Sequence, residues 1–473
     1  MLHPLLTLSL LSPLVAPVSE DVPESLETGL LPTWWIDTEP PEPQPIAARM
    51  AHFHTPAVSV AVLLDGKLAW ARAWGVADVE SGRAADENTL FQAASISKPV
   101  AALAALVLLE EGELWLDDDI NTLLESWKVP DSEVTATEKV TVRRIVNHTA
   151  GLTVWGFPGY DPRGAWPTAA ELLDGKGNTD PVRVFRTPGA DWQYSGGGYT
   201  VLQVALEDVS GLDFTTLMAK RVLAPLGMTR STYDQPLPEA LRANSALGYT
   251  GRGEPVAGGA HVYPEQAAAG LWTTPAELAK YLAAVQRMAG GKAGLLQPET
   301  ARLMLTPGKN GHGLGPILME AADGRRFGHG GSNAGFKCDM FASLEGGYGA
   351  VVMTNGDDGF LLGQEVFHAL ARHYGWPGFD PEIKRVLEID DAALAIYAGN
   401  YALEGMGQLT IAPGEGELRI STSWDDEVGR LLPDAEHTFF DADDRKPVVF
   451  EVADGRAVAL TVGGRFRAER ADD

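Results

Sequence analysis

Residues 91–112 read FQAASISKPVAALAALVLLEEG, a short polar turn that runs directly into an apolar stretch. Hardly a polar side chain occurs between Val100 and Leu109, and a helix that is apolar on every side is buried in a core. Ser95 and Lys98 stand three residues apart, so a helical turn places both on one face. A hydroxyl and an amine held together at the start of a buried helix indicate a nucleophile with its base.

The composition is that of a folded, acidic protein. Hydrophobic residues make up 45% and charged residues 21% of the 473 residues, and the formal net charge is −27 at pH 7. These values are ordinary for a globular chain of about two to three domains. Because nucleic acids and anionic membranes are bound by basic surfaces, we expect no nucleic-acid partner. No segment of the body is long enough for a stable membrane span.

Cysteine and histidine usage offers no pattern for a metal or redox centre. Cys338 is the single cysteine, which excludes an intramolecular disulfide, and CxxC and HExxH motifs are absent. His52 and His54 form the only close histidine pair. Their spacing on a strand suits metal ligands, but such a pair is more often two partly exposed histidines. We therefore expect no cofactor and no metal.

The amino-terminal stretch has the features of an export signal. Residues 5–15 form an apolar run of signal-peptide length, too short to span a membrane. Lys and Arg are absent before Arg49, so a mildly apolar, disordered leader is the alternative. We predict a signal peptide over residues 1–19 and export to the periplasm or the medium. Residues 20–45 are acidic and rich in proline, which predicts a linker or an extended arm.

Residues 46–380 carry strand patterns near both ends and a largely helical middle. An Asp-Gly turn joins residues 57–64 to residues 67–74, which is typical of a β-hairpin. Further strand-like runs follow residue 312. We predict one α+β domain, in which the early hairpin and the late strands share an antiparallel sheet and helices fill the middle.

A different pattern begins after a linker near residues 378–390. From Tyr397 onward, apolar residues alternate with period two in seven short segments separated by turns. This pattern predicts a small all-β domain over residues 391–473, either a barrel or a curled sheet. No catalytic constellation falls within it, and whether it binds a small ligand stays open.

Two glycine-rich segments accompany the Ser95–Lys98 pair. Residues 194–199 read YSGGGY, and residues 328–336 read GHGGSNAGF. An S-x-x-K motif alone is weak, because about one is expected by accident in a chain of this composition. The ordered series of S-x-x-K, Tyr194 and an H-x-G motif at His329 is far more specific.

This ordered series resembles the serine β-lactamase and penicillin-binding family. The resemblance is to its class C-like branch, which includes class C β-lactamases, family VIII carboxylesterases and D-aminopeptidases. It covers about residues 46–380 and includes residues 148–152, HTAGL, similar to the branch's H-T-S-G-L. The all-β tail is similar to a lipocalin-like domain that many members carry. The resemblance implies a β-lactamase/transpeptidase-like fold and a serine hydrolase.

The resemblance also implies roles for individual residues. Ser95 would be the acylated nucleophile, and Lys98 would be its base or would orient Tyr194. Tyr194 would pass the Ser95 proton to the leaving group. The H-x-G segment is the third motif of the series, and His329 stands where family members more often have Lys. The backbone N–H groups of Ser95 and Ser332 would form the oxyanion hole.

Other motif positions would contact the substrate. Gly330 and Gly331 lack a Cβ atom, so a substrate strand could lie close to the backbone. The second motif, which begins at Tyr194, commonly reads Tyr-x-Asn in the family. Here Tyr194 is followed by Ser195 and Gly196, so the Asn amide that helps hold the substrate is missing. An imidazole at His329 holds a carboxylate poorly at pH 7. Both departures favour neutral esters or amides over β-lactams.

We therefore predict a serine hydrolase that acts through an acyl-enzyme on small ester, amide or short peptide substrates. A β-lactamase or D-Ala-D-Ala-type carboxypeptidase is the first alternative, and a non-catalytic peptidoglycan- or peptide-binding protein is the second. A G-x-S-x-G-like elbow at Ser332 is rejected, because strand residues follow it where the elbow requires a helix. Trp166, Trp192 and Trp272 are candidates to line an acyl pocket. The oligomeric state stays open.

Overall fold

The computed structural model describes residues 22–403, 407–443 and 445–471. The signal peptide predicted over residues 1–19 lies outside the described residues. The chain divides into two compact units. One comprises Pro43–Phe379 with the described residues up to Leu30, and the other comprises Leu31–Glu42 with the chain from Asp380 onward. Among the described residues, no helix has the length and apolarity needed to cross a bilayer.

The secondary structure alternates early strands, a helical middle and late strands. The helices are α1 (Glu24–Thr28), α2 (Ile46–His52), α3 (Ser97–Glu111), α4 (Ile120–Leu123), α5 (Val142–Val146), α6 (Ala169–Leu173), α7 (Gly196–Ser210), α8 (Phe214–Met218), α9 (Glu239–Arg242), α10 (Gln266–Ala269), α11 (Pro275–Ala289), α12 (Pro298–Met304), α13 (Gly359–Tyr374) and α14 (Asp391–Leu394). The strands of the first unit, with β1 and β11 of the second, are β1 (Trp34–Ile36), β2 (Ala57–Leu64), β3 (Lys67–Asp78), β4 (Arg83–Ala84), β5 (Phe91–Gln92), β6 (Trp272–Thr273), β7 (Ile317–Ala321), β8 (Gly324–Asn333), β9 (Phe336–Ser343), β10 (Gly349–Thr354) and β11 (Glu382–Lys384).

The main sheet of the first unit joins the early hairpin to the late strands. Its order is β4-β3-β2-β10-β9-β8-β7, with antiparallel pairing of β2 to both β3 and β10. Alternate residues of β2 enter different cores: Val58, Val60 and Val62 lie in one cluster, while Ala61 and Leu63 lie in the other. Both faces of the sheet are covered, and the predicted α+β fold is confirmed.

Helix α3 is the buried element that the opening stretch predicts. Every residue from Ser97 to Leu108 is buried, so the helix has no solvent face until its last turn. Gly112 ends it in the left-handed region, at a φ of 76°, and its N–H bonds to the carbonyl of Leu108. Burial on all sides places the start of this helix, with its polar turn, inside the molecule.

The third motif lies within a strand rather than between strands. Strand β8 runs through to Asn333 and pairs with β9, so that His329 faces Met340 and Ser332 faces Lys337. The two strands are joined by a tight turn at Gly335, whose φ is 73°. No helix follows Ser332, which agrees with the rejection of an elbow there.

The second unit contains a closed antiparallel barrel. Its strands follow one another in chain order, β12 (Gly399–Leu403), β13 (Gly407–Pro413), β14 (Leu418–Thr422), β15 (Asp425–Ala435), β16 (Thr438–Asp441), β17 (Pro447–Ala453), β18 (Arg456–Val462) and β19 (Phe466–Arg470). Strand β16 is absent from the seven predicted segments. Its two central residues, Phe439 and Phe440, are both buried, so it lacks the alternation that revealed the others. In this unit, β1 pairs in parallel with β11.

Candidate active site

Ser95 lies in a single turn of 3₁₀-helix, residues Ala94–Ile96, immediately before α3. Lys98 Nζ donates hydrogen bonds to Ser95 Oγ at 2.9 Å and to the Ala268 carbonyl at 2.8 Å. Lys98 is only 2% exposed, so these partners replace its water. Ala94 has a φ of 48°, an uncommon conformation for a residue with a Cβ atom. The sharp turn there presents the Ser95 hydroxyl at the start of the buried helix.

Tyr194 is held in place by His148. The Nδ1 atom of His148 accepts a hydrogen bond from the Ser195 N–H at 3.1 Å, and its carbonyl accepts one from the Gln193 N–H at 2.8 Å. The imidazole also stacks on the Tyr194 ring, with centroids 4.3 Å apart. Burial lowers the pKa of His148 well below its ordinary value. His148 is therefore neutral, with its proton on Nε2 and Nδ1 free to accept.

His329 faces the same tyrosine from β8. The two ring centroids are 6.2 Å apart, and the His329 side chain is buried, with Nδ1 bonded to the Gly330 carbonyl. Burial, reinforced by the nearby Lys98 charge, lowers the pKa of His329 to about 3. The third motif therefore presents a neutral imidazole and not a cation. His312 adds a third imidazole, 6.5 Å from Tyr194 between centroids, that the sequence analysis did not single out.

The two glycines after His329 serve different purposes. A Cβ atom on Gly331 would lie 2.3 Å from the Ala93 carbonyl oxygen and 2.5 Å from Cys338 Sγ. The absence of that atom lets β8 lie against the turn that carries Ser95. A Cβ atom on Gly330 would meet nothing closer than 3.8 Å. Ser332, the next residue, is exposed on the cleft.

Ser195 and Gly196 lie behind Tyr194 and do not line the cleft. The Ser195 hydroxyl accepts from the Gly198 N–H at 2.9 Å and donates to the Thr153 carbonyl at 2.7 Å, so it caps α7. A Cβ atom on Gly196 would approach the Phe157 ring at 2.8 Å. Ser195 and Gly196 therefore pack against residues 153–157. Both are buried, so neither can contact a substrate.

The cleft around Ser95 has a volume of about 1790 Å³. It brings together most of the predicted site residues, namely Ser95, Lys98, Tyr194, His329, Gly330, Gly331 and Ser332. The tryptophan that lines it is Trp155, which is 70% exposed. Trp166, Trp192 and Trp272 are not among its lining residues. Trp155 was missed because no local pattern distinguishes a cleft-lining tryptophan from a packed one.

Helix α10, which supplies the Ala268 carbonyl to Lys98, begins at a buried acid. Glu265 is fully buried, and neither carboxyl oxygen has a hydrogen-bond partner among the described residues. Burial raises the pKa of Glu265 to about 8. The acid is therefore neutral in the folded protein at pH 7, whereas it ionises near pH 4.5 when the chain is unfolded.

Glu265 should therefore make the protein less stable as the pH rises. Between pH 4.5 and 8 the folded state holds a proton that the unfolded state has lost, so the free energy of unfolding falls, by about 4 kcal/mol at pH 8. We expect Glu265→Gln to stabilise the protein at pH 8 and to have little effect at pH 5, measured by urea unfolding. The exposed Glu299→Gln serves as the control. An equal effect of Glu265→Gln at both pH values would contradict the prediction.

Comparisons with known proteins show the family of the chain. Residues 44–373 match the family model described as Beta-lactamase. Esterase EstB of Burkholderia gladioli is 33% identical over 187 residues, which cover 38% of this chain and 47% of the esterase. Penicillin-binding protein 4* of Bacillus subtilis (strain 168) is 23% identical over 400 residues, covering 79% of this chain and 85% of that protein. The alignment with the esterase therefore spans about half of its length.

A solved structure shows the same fold. The octameric penicillin-binding protein homologue from Pyrococcus abyssi aligns with a TM-score of 0.62 and 23% identity, over 89% of this chain and 98% of that chain. At this identity the likeness concerns the fold alone. Together with the family match, it confirms the family and the fold that the ordered motifs predict.

Proposed function

This chain belongs to the beta-lactamase family, and from that premise we propose that it is a serine hydrolase that forms an acyl-enzyme at Ser95 on small ester or amide substrates. The observation that carries the proposal is the 2.9 Å hydrogen bond between Lys98 Nζ and Ser95 Oγ. It lies in a cleft that Tyr194 and His329 also line. A hydroxyl, a buried amine, a phenol and an imidazole in one cleft supply a nucleophile and groups for proton transfer.

The proposed reaction begins when Ser95 Oγ attacks the substrate carbonyl carbon. Lys98 Nζ accepts the hydroxyl proton and passes it to Tyr194, whose ring centroid lies 5.0 Å from Lys98 Nζ, as the Tyr194 phenol gives its own proton to the leaving group. The N–H groups of Ser95 and Ser332 stabilise the negative oxygen of the tetrahedral intermediate. Water then hydrolyses the acyl-enzyme, with the same groups moving its proton.

Esters and amides are favoured over β-lactams by the charge of the third motif. The buried, neutral His329 offers no cation for the carboxylate that a β-lactam carries. The similarity to an esterase supports the same choice. Because the chain is also similar to a penicillin-binding protein, β-lactams and D-Ala-D-Ala peptides are included in the substrate panel.

We also propose export, supported by the leader predicted over residues 1–19. Cell fractionation with the complete chain tests it, and recovery from the cytoplasm alone would refute it.

The proposed function predicts that Ser95→Ala abolishes turnover. We expect the wild type to hydrolyse p-nitrophenyl acyl esters or D-amino-acid amides in preference to nitrocefin, and Ser95→Ala to lose about 10³-fold or more in kcat/KM. A fluorophosphonate probe should add its mass to the wild type and not to the variant. A wild type that hydrolyses no substrate and is never labelled at Ser95 would refute the proposal. Ligand binding that is unchanged by Ser95→Ala, without any covalent adduct in the wild type, would favour a binding protein.

A further inference from the structure

Three cationic side chains line the cleft, and they differ in how their charges are satisfied. Lys98 is engaged with Ser95 and the Ala268 carbonyl. Lys337 forms an ion pair with Asp357 at 2.6 Å. Arg183 has no ion pair with a carboxylate in the part of the chain that the structure describes.

The Arg183 guanidinium is fixed by main-chain carbonyls. Its Nη1 atom donates to the carbonyl of Val182 at 2.7 Å and to that of Leu173, the last residue of α6, at 3.1 Å. Among the described residues, no protein acceptor engages Nε or Nη2. A guanidinium presents its donors in a planar fork that matches a carboxylate. Anchoring one nitrogen therefore orients the fork and leaves other N–H groups for a ligand.

The backbone of Arg183 belongs to the wall of the cleft that carries Tyr194. Its N–H donates to Thr153 Oγ1 at 2.8 Å, and its carbonyl accepts from the Thr153 N–H at 2.9 Å. The Thr153 carbonyl in turn accepts from Ser195, the neighbour of Tyr194, at 2.7 Å. A group bound by Arg183 would therefore lie on the Thr153 side of the cleft and not along β8.

An acidic side chain whose pKa Arg183 lowers is already engaged. Asp174 responds to the charge of Arg183, but it accepts a hydrogen bond from Trp127 Nε1 at 3.0 Å and pairs with Lys176 at 3.3 Å. Asp180 also lines the cleft, and it forms no ion pair with Arg183 among the described residues. The Nε and Nη2 donors of Arg183 are thus available to the carboxylate of a ligand.

We propose that Arg183 binds a carboxylate of the substrate, and that the preferred substrates are esters or amides whose acyl part ends in a free carboxylate. This inference rests on the proposed function and adds the substrate class. A charge-assisted, two-point hydrogen bond to Arg183 would replace the cation that the neutral third motif lacks. The scissile carbonyl is then presented to Ser95 while the distal acid is held on the Thr153 wall.

The test compares two substrates that differ only in the distal charge. These are the mono-4-nitrophenyl ester of adipic acid and its methyl ester, with the uncatalysed rates subtracted. We expect the wild type to favour the free acid in kcat/KM by about tenfold or more, as one charge-assisted hydrogen bond provides. Arg183→Gln should remove this preference, mainly through KM, and Arg183→Lys should keep part of it. Arg186→Gln, which alters an arginine paired with Asp191 outside the cleft lining, should leave the preference unchanged.

The ratio of kcat/KM for the two substrates is measured within one preparation of each variant. A lower fraction of folded protein reduces both values equally and leaves the ratio unchanged. A wild type that does not prefer the free acid, or a preference that survives Arg183→Gln, would overturn the proposal. Binding of monomethyl adipate to Ser95→Ala by calorimetry separates this proposal from the catalytic one. If no ester is turned over but this binding weakens about tenfold with Arg183→Gln, the carboxylate site stands and the hydrolase fails. Binding that does not depend on Arg183 overturns the site.

Discussion

Replacing Lys98 with methionine is expected to lower kcat/KM by about 10³-fold, within the range for loss of a general base. Methionine matches the length and shape of the lysine stem, so it fills the same buried volume without the amine. The change removes both hydrogen bonds of Nζ, to Ser95 Oγ and to the Ala268 carbonyl. Among the described residues, no other side chain then hydrogen-bonds to Ser95 Oγ and could accept its proton. Steady-state kinetics on the best ester of the panel measures the effect.

The control for this change is Lys220→Met, on an exposed residue that does not line the cleft. It alters the same chemical group without touching the cleft, and we expect kcat/KM within about twofold of the wild type. Thermal unfolding of both variants separates lost chemistry from lost fold. Full activity in a folded Lys98→Met protein would show that another group activates Ser95.

Replacing Gly331 with alanine is expected to damage both stability and activity. The added Cβ atom would lie 2.3 Å from the carbonyl oxygen of Ala93, a backbone atom that no side-chain rotation can move. Strand β8 must then withdraw from the turn that carries Ser95, which shifts Ser332 and His329 relative to the nucleophile. We expect a loss of about 1–3 kcal/mol in the free energy of unfolding and of about 10²-fold in kcat.

Gly330→Ala is the matched control for stability, because its Cβ atom would have no neighbour closer than 3.8 Å. We expect its free energy of unfolding to stay within about 0.5 kcal/mol of the wild type. Urea unfolding of both variants measures the difference. Equal stability of the two alanine variants would refute the close approach of β8 to Ala93.

The contact between Ser95 and Lys98 and the early β-hairpin could be predicted because each follows from a short-range pattern. Ser95 and Lys98 meet because they are three residues apart in a helical turn. The hairpin of β2 and β3 follows from an Asp-Gly turn between β-rich runs. Strand β16 escaped prediction because Phe439 and Phe440 are adjacent and both buried, which breaks the period of two.

The contacts that support the site residues could not be predicted, because they join distant parts of the chain. The HTAGL motif favoured a structural role for His148, but only the structure shows that it holds Tyr194 through the N–H groups on either side of that residue. Ser195 and Gly196 were expected to contact the substrate, but the structure places them behind Tyr194. Such relations depend on which segments pack together, and no local periodicity encodes that.

The sequence by itself determined which chemistry is present, namely a hydroxyl with an amine at the start of a helix that must be buried. Only the tertiary structure decided what surrounds that chemistry. It buries His329 in a neutral form, brings β8 against Ala93 where Gly331 has no side chain, and leaves Arg183 at the cleft without a carboxylate partner among the described residues. The physical reason is that spacing along the chain sets contacts within a turn, whereas burial and charge pairing depend on residues that meet only in the folded protein.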